Sequence, residues 1–219
     1  MERDVQKITL FDAVTPTALT SSTDATPIVV TATSHGIKNG QRVLLVGHTT
    51  NIAANGIFVA KAVTANTFAL SDEFTGADVA GSGGGSGSSG ICVLAPPIIN
   101  TRSFRNIIFQ LGTSGTTTST LKVYGSVGVP DNATNTVTPR KDMPNFGGTL
   151  SPANNYTALQ IIDLDTAAAV NGATGMVVSG TDLFKQYECN VNVMPYITVF
   201  PITWTGGVIT LVAFLATNV

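Results

Sequence analysis

The sequence has little charge. Asp, Glu, Lys and Arg make up 11% of the 219 residues, whereas an ordinary soluble domain has roughly 25%. The net charge is −2 and no cluster of Lys or Arg occurs, so attraction to nucleic-acid phosphates is not expected. The most apolar stretch, residues 206–216, has about half the length that spans a bilayer. We therefore predict neither nucleic-acid binding nor a membrane helix, and no signal peptide.

Residues that carry chemistry are also scarce. Cys92 and Cys189 are too far apart for the spacing of a metal site or redox pair, so buried thiols in a reducing cytoplasm are predicted. Of the two histidines, His35 is explained by a turn at Gly36, and neither His35 nor His48 has a set of carboxylates or cysteines beside it. We predict no metal and no cofactor, although residue order alone leaves a Ser-His-Asp triad open.

Two further interpretations of polar residues remain alternatives at this point. Asp163 and Asp165 could hold calcium together with Asp12 or Asp182, but a solvated strand end is the simpler explanation. The run of Gly and Ser at residues 81–90 lacks the following Lys-Ser/Thr and helix of a phosphate loop. Its composition predicts a flexible tether, and a designed fusion linker would look similar.

What the sequence does contain is typical of β-structure. Threonine occurs 32 times and glycine 22 times, and β-branched residues with many turn formers suit pleated sheets. Asn-Gly pairs at Asn39 and Asn55 mark tight turns between short apolar runs. The sequence therefore predicts an all-β protein.

The C-terminal half contains the clearest strands. Tyr187 and Cys189 alternate with Glu188 and Asn190, which places Cys189 in a core. We predict one hairpin from residues 104–111 to 120–127, and a second around Thr205-Gly206-Gly207. Residues 129–152 contain four prolines and few apolar residues, which predicts a long excursion loop.

The last strand is apolar on both faces, so it is either central in a sandwich or covered by another chain. Tyr196 and Trp204 lie near the adjoining turn, where they could be buried in a core or interface, or stack on a sugar. We therefore predict an assembly interface that comprises Tyr196, Trp204, Val208, Ile209, Leu211, Val212, Phe214 and Leu215.

Three segments carry a resemblance to a known module. Residues 33–43 (TSHGIKNGQRV), 55–58 (NGIF) and 66–70 (NTFAL) resemble a small β-barrel repeat of bacteriophage structural proteins. Such modules are described as similar to the first catalytic-cysteine half-domain of ubiquitin-activating enzymes. The resemblance implies a virion accessory module and no ubiquitin chemistry.

A second resemblance concerns the flanking sequence. Residues 9–14 (TLFDAV) and 104–110 (FRNIIFQ), the Ile162-Asp163-Leu164 strand, and the Tyr187-Glu188-x-Asn190 strand resemble a type of phage virion protein. A lone strand at residues 8–14 cannot form a domain, so it must pair with a later segment. We expect an antiparallel, jelly-roll-like β-sandwich formed by residues 1–20 and 95–219, with a small β-barrel inserted at residues 26–94.

The function that follows is a prediction from resemblance. We expect a non-enzymatic bacteriophage virion protein, located in the virion after assembly in the host cytoplasm, and most simply a capsid decoration protein. It would self-associate, with a trimer favoured, and bind other virion proteins such as the major capsid protein. The alternatives are a tail or head-to-tail connector component, or a receptor- or glycan-binding adhesin.

Overall fold

The protein divides into two compact units, of which one is inserted into the other. The structure is a computed structural model and describes residues 5–73, 75–83, 90–126, 156–191 and 194–217. One unit contains residues 5–15, 96–126 and the described residues after 155, and the other contains residues 16–95. The described residues form strands and one short 3-10 turn at Ile52–Ala54, and none of their helices is long and apolar enough to cross a membrane.

The flanking unit is an antiparallel sandwich of two sheets. One sheet has six strands in the order β1-β18-β10-β16-β13-β14. Its strands are β1 (Val5–Val14), β10 (Phe104–Ser114), β13 (Ile161–Asp163), β14 (Ala168–Val170), β16 (Phe184–Asn190) and β18 (Val208–Thr217). The other sheet has the order β12-β11-β17-β9, and β15 also pairs with β11. Its strands are β9 (Ile99–Asn100), β11 (Thr116–Ser126), β12 (Tyr156–Ala158), β15 (Met176–Thr181) and β17 (Tyr196–Thr205).

The sandwich core lies between the inward faces of these sheets. Ile107, Cys189 and Leu215 contribute from the six-stranded sheet and are fully buried, while Leu121 and Val199 face them from the other sheet and are also fully buried. The alternation predicted for Tyr187 and Cys189 is confirmed, because both are buried and Glu188 points to the other face. The strand at residues 5–14 pairs with β18, which lies between it and β10.

Both predicted hairpins are wrong. β10 pairs with β16 and β18, whereas β11 pairs with β12, β15 and β17, so the chain crosses from one sheet to the other at Gly115. The same crossing occurs between β17 and β18, where Gly206 and Gly207 both have φ +63°. An added Cβ at Gly207 would overlap Thr117 Oγ1. At each of these turns the chain passes from one sheet to the other. The two joined strands do not pair with each other, because their apolar faces pack against each other across the core.

The inserted unit is one seven-stranded antiparallel sheet in the order β2-β8-β5-β6-β7-β4-β3. Its strands are β2 (Thr17–Ala18), β3 (Ser21–Ser22), β4 (Val29–Thr31), β5 (Arg42–Val46), β6 (Gly56–Lys61), β7 (Thr67–Asp72) and β8 (Ile91–Leu94). Ile28, Val30, Leu45, Phe68 and Leu70 are fully buried in its core. The predicted all-β class, an antiparallel sandwich with a barrel-like module, is confirmed.

The sheet of this unit curls because one segment pairs with both of its ends. Leu19 N donates to Gly90 O at 3.0 Å, and the next residue, Thr20, donates through its N–H to Thr31 O at 2.8 Å. From the sequence, residues up to 20 were assigned to the sandwich and the inserted barrel was expected to begin at residue 26. In the structure the backbone of residues 17–22 supplies strands β2 and β3, so the sheet of the inserted unit begins at Thr17.

The ends of the Gly/Ser run are held in place. Asn51 Oδ1 accepts hydrogen bonds from Ser82 N at 3.1 Å and Ser82 Oγ at 3.2 Å, and Gly83 N donates to Asp24 Oδ1 at 2.8 Å. Gly90 has φ +103°, and an added Cβ would lie 2.6 Å from Val46 O. The predicted tether at residues 81–90 is therefore anchored at both ends, and its residues 84–89 lie outside the described part of the chain.

Candidate assembly surface

The outer face of the six-stranded sheet is rich in apolar side chains. Its central row runs across the strands as Lys7, Phe214, Ile108, Glu188, Ile162 and Ala169, each residue opposite the next. Ile108 is 40% exposed and Ile162 is 41% exposed. The solvent-facing side of an antiparallel sheet normally carries polar residues. We call this surface, with the rows on either side, the outer face.

Phe184 extends the outer face at one end of β16. It lies opposite Gly112 and is 63% exposed, the largest value among the large apolar side chains of the described residues. At the other end of β16 is a depression of about 370 Å³. Its lining residues are Asn106, Leu159, Gln160, Ile162, Glu188 and Asn190. The outer face thus has an aromatic projection and a partly polar depression on the same strand.

The predicted interface residues of β18 separate into two sets. Ile209, Leu211 and Leu215 point inward and are fully buried in the sandwich core, so they cannot contact a partner in this fold. Val208, Val212 and Phe214 point to the outer face and are partly exposed. β18 lies between β1 and β10 in its sheet, but its outward set stays partly exposed, so its place in the sheet does not account for both apolar faces, and the assembly role of the outward set stays a prediction.

The two aromatic residues of the predicted interface are inside the sandwich. Trp204 is 4% exposed, packs edge-on against Phe11 with ring centroids 5.8 Å apart, and donates from Nε1 to Gly206 O at 3.1 Å. Tyr196 is also buried, and the Arg102 guanidinium lies 5.1 Å from its ring centroid. These rings are not available to stack on a sugar. The predicted loop at residues 129–152 lies outside the described residues.

A buried polar cluster in the inserted unit was not predicted. His48 Nε2 lies 2.8 Å from Ser22 Oγ, and Asn51 Nδ2 donates to the same hydroxyl at 3.1 Å. Asn51 N donates to His48 Nδ1 at 3.2 Å. All three residues are almost completely buried. Ser22 and His48 are 26 positions apart in the sequence, so no local sequence signal could have identified the cluster.

The hydrogen bonds of this cluster decide its chemistry. Nδ1 accepts from a backbone N–H, so the neutral ring carries its proton on Nε2 and donates it to Ser22. A general base would have to accept the serine proton at that nitrogen. Burial also lowers the pKa of His48. The triad left open by residue order is therefore not formed by Ser22 and His48, which join the sheet edge to the loop at Asn51.

The remaining polar candidates have structural explanations. His35 Nδ1 accepts from Ile37 N at 2.9 Å, as expected for a turn. Asp163 Oδ1 accepts from the backbone N–H groups of Asp165 and Thr166, and Lys185 Nζ lies 3.4 Å from Oδ2. This is a hydrogen-bonded turn with an ion pair. Among the described residues, no group of three or more His, Cys, Asp or Glu side chains could hold a metal ion.

The two cysteines are buried in separate units. Neither forms a disulfide. Burial raises the pKa of the Cys92 thiol to about 12, and burial with the nearby Glu188 carboxylate raises the pKa of Cys189 to about 12. A thiol that stays protonated at neutral pH is a poor nucleophile, so neither cysteine is a candidate catalytic residue.

Comparisons with known proteins give two structural neighbours. Neither protein-family models nor curated proteins match the chain. The SPBc2 prophage-derived protein YomS aligns over 56% of this chain and 80% of its own, with 11% identity and a TM-score of 0.35. The PBSX exported protein XepA aligns over 99% of this chain and 82% of its own, with 8% identity and a TM-score of 0.35. Similarity this low does not assign a function.

Proposed function

We propose that the protein is a non-enzymatic structural component of a bacteriophage virion that decorates the capsid. In this role, copies of the chain associate through the outer face and bind the major capsid protein. The protein acts in the virion, after assembly in the host bacterial cytoplasm. The observation that carries self-association is the row of partly exposed apolar residues Phe214, Ile108 and Ile162 on a sheet face that would normally be polar.

The low charge of the chain supports this proposal. Charged surface residues keep monomeric proteins soluble, and an ordinary soluble domain has roughly 25% charged residues over its whole length, whereas only 11% of this sequence is charged. An assembly subunit needs fewer surface charges because other subunits cover part of it. The phage context comes from the motif series at residues 33–43, 55–58 and 66–70, which resembles a module of phage structural proteins.

The polar residues support a role without catalysis. The Ser22–His48 pair has the wrong proton arrangement for a serine nucleophile, and both cysteine pKa values lie far above neutral pH. The outer face carries apolar and amide side chains, which suit protein contacts.

Sedimentation velocity of the full chain tests self-association. We expect Ile108→Lys to weaken association about tenfold or more, because an unpaired ammonium group buried at the centre of an apolar contact costs more than the roughly 1.4 kcal/mol that corresponds to a tenfold change. Val177→Lys is the matched control, because Val177 is an exposed residue of the other sheet. A strictly monomeric wild-type protein, or equal effects of the two variants, would count against assembly through the outer face.

Binding and counting experiments test the location in the virion. The purified protein should cosediment with empty capsids, and quantitative gels of virions should show hundreds of copies. A dozen or fewer copies would identify a tail or connector component instead. Failure to bind capsids, together with binding to a glycan array, would favour the adhesin.

A further inference from the structure

Two charged residues of the outer face, Lys7 and Glu188, lie symmetrically about its apolar centre, while the exposed residues Asp12 and Arg105 lie at irregular positions of β1 and β10, outside the paired rows. Among the described residues that are paired across this face, only Lys7 and Glu188 are charged. Both belong to the central row, in which Lys7 is opposite Phe214, Phe214 is opposite Ile108, and Ile108 is opposite Glu188. Along the row the order is therefore positive, apolar, apolar, negative.

We propose that a second copy of this chain docks on the outer face about a two-fold axis that runs parallel to the strands, between β18 and β10. This inference rests on the self-association proposed above, and it specifies a two-fold dimer in place of the trimer expected from the sequence. The rotation exchanges the two halves of the row. It places Lys7 against Glu188 of the partner subunit and Phe214 against Ile108 of the partner subunit, and each contact occurs twice, as in any isologous interface.

The charges are free to make these contacts. The ion pairs within the described residues are Arg42–Glu73, Lys61–Asp78 and Lys185–Asp163, and none includes Lys7 or Glu188. Lys7 is exposed and Glu188 is partly exposed. Asn106 Nδ2 donates to Glu188 Oε1 at 2.6 Å, which fixes the carboxylate beside Ile108. A charge held in this way loses little conformational freedom when a partner lysine approaches.

The overlapping area is sufficient for a modest interface. The two-fold rotation places strands β1, β18, β10 and β16 of one copy over the same four strands of the other. At about 4.8 Å per strand, the width of the overlap is roughly 19 Å. The contact runs along about nine residues of β10, of which alternate ones face the partner, and at about 3.4 Å each they give a length of roughly 30 Å. The contact is then about 570 Å² per copy and about 1,140 Å² in total, slightly above the roughly 1,000 Å² that a specific interface needs.

A charge-reversal experiment on the full chain tests this geometry. Dimerisation is measured by sedimentation velocity over a concentration series for the wild type, Lys7→Glu, Glu188→Lys and the double variant. Each single reversal opposes like charges at two places, so we expect the dissociation constant to rise about tenfold or more. The double reversal restores both ion pairs, and its constant should return to within about threefold of the wild type. Lys38→Glu, an exposed change of equal charge in the inserted unit, should have no effect.

The outcomes separate this inference from the proposed function. Rescue by the double reversal supports the two-fold arrangement and also shows that neither single variant failed by misfolding. A trimer, or a dimer that is insensitive to the reversals, overturns the arrangement but leaves self-association standing. A wild-type protein that is monomeric at every concentration overturns both. If that monomer still binds capsids, the occupant of the outer face is a different virion protein.

Discussion

Excising residues 16–95 as a separate chain should give a folded, cooperative domain. The unit has its own core, and its sheet begins and ends on paired strands, since Thr17 is the cross-strand partner of Cys92. The two ends therefore leave the unit side by side. The backbone hydrogen bonds from Leu19 to Gly90 and from Thr20 to Thr31 both lie inside residues 16–95, so excision breaks no pairing within the sheet of this unit.

The size of the transition follows from the length of the piece. Eighty residues at about 0.7 kcal/mol per residue predict an unfolding enthalpy of roughly 55 kcal/mol near 60 °C, and a heat-capacity change of about 1 kcal/mol/K. Differential scanning calorimetry measures both quantities. A van 't Hoff enthalpy equal to the calorimetric one would show that the whole piece unfolds as one unit.

The aromatic residues provide an internal control in the full chain. Trp204 is the single tryptophan and lies in the sandwich, and the tyrosines at positions 124, 156, 187 and 196 also lie outside residues 16–95. Tryptophan fluorescence should therefore follow the sandwich alone, while far-UV circular dichroism follows both units. If the excised piece shows no cooperative transition, or an enthalpy well below that expected from its length, the inserted unit does not fold independently.

Three further predictions concern single residues. The pKa of His48 is lowered in the folded state, so the free energy of unfolding should be highest above the unfolded pKa of about 6.5 and should fall by at most about 1.4 kcal/mol at pH 5.5. Denaturant titrations at pH 7.5 and pH 5.5 should show this loss of unfolding free energy in the wild type and not in His48→Gln. An equal loss in both proteins would contradict the assignment. Gly90 has φ +103°, and the Cβ of a Gly90→Ala variant would clash with Val46 O, so this substitution should destabilise the inserted unit by more than the roughly 1–3 kcal/mol of backbone strain. Gly83 has φ +111° with open space around it, so Gly83→Ala should cost only that strain. Because Cys92 and Cys189 are buried with pKa values of about 12, neither should react with a thiol reagent at pH 7.5 until denaturant is added; fast labelling of the native protein would refute their burial.

Strand positions followed from local pattern, but the pairing of strands did not. The alternation in β16 and the apolar content of β18 were sufficient to locate these strands. Whether two strands joined by a tight glycine turn pair side by side or face each other across a core depends on the other strands available. Here β16 and β18 occupy both edges of β10, so β11 must join the opposite sheet.

The start of the inserted unit shows a different limit of sequence patterns. Ser21 and Ser22 resemble a linker because their side chains are small and polar. Their contribution is made by the backbone, through pairing with Thr31 and Val30, and backbone hydrogen bonds leave no trace in composition. The Ser22–His48–Asn51 cluster was also missed, since Ser22 lies 26 positions from His48 and 29 from Asn51 and only the folded chain brings them together.

The proposed dimer geometry depends on long-range order that no window of sequence contains. Lys7 and Glu188 are separated by 181 positions in the sequence, yet β18 and β10 place them in one row on either side of Phe214 and Ile108. A low charge content makes such a row informative. On a surface with many charges, a complementary pair would arise by chance, whereas here the two charged residues that are paired across the outer face have opposite signs and lie the same number of strands from the axis. That symmetry makes the double charge reversal a sharper test than the loss of any single apolar side chain, because it predicts a restored interaction and not only a lost one.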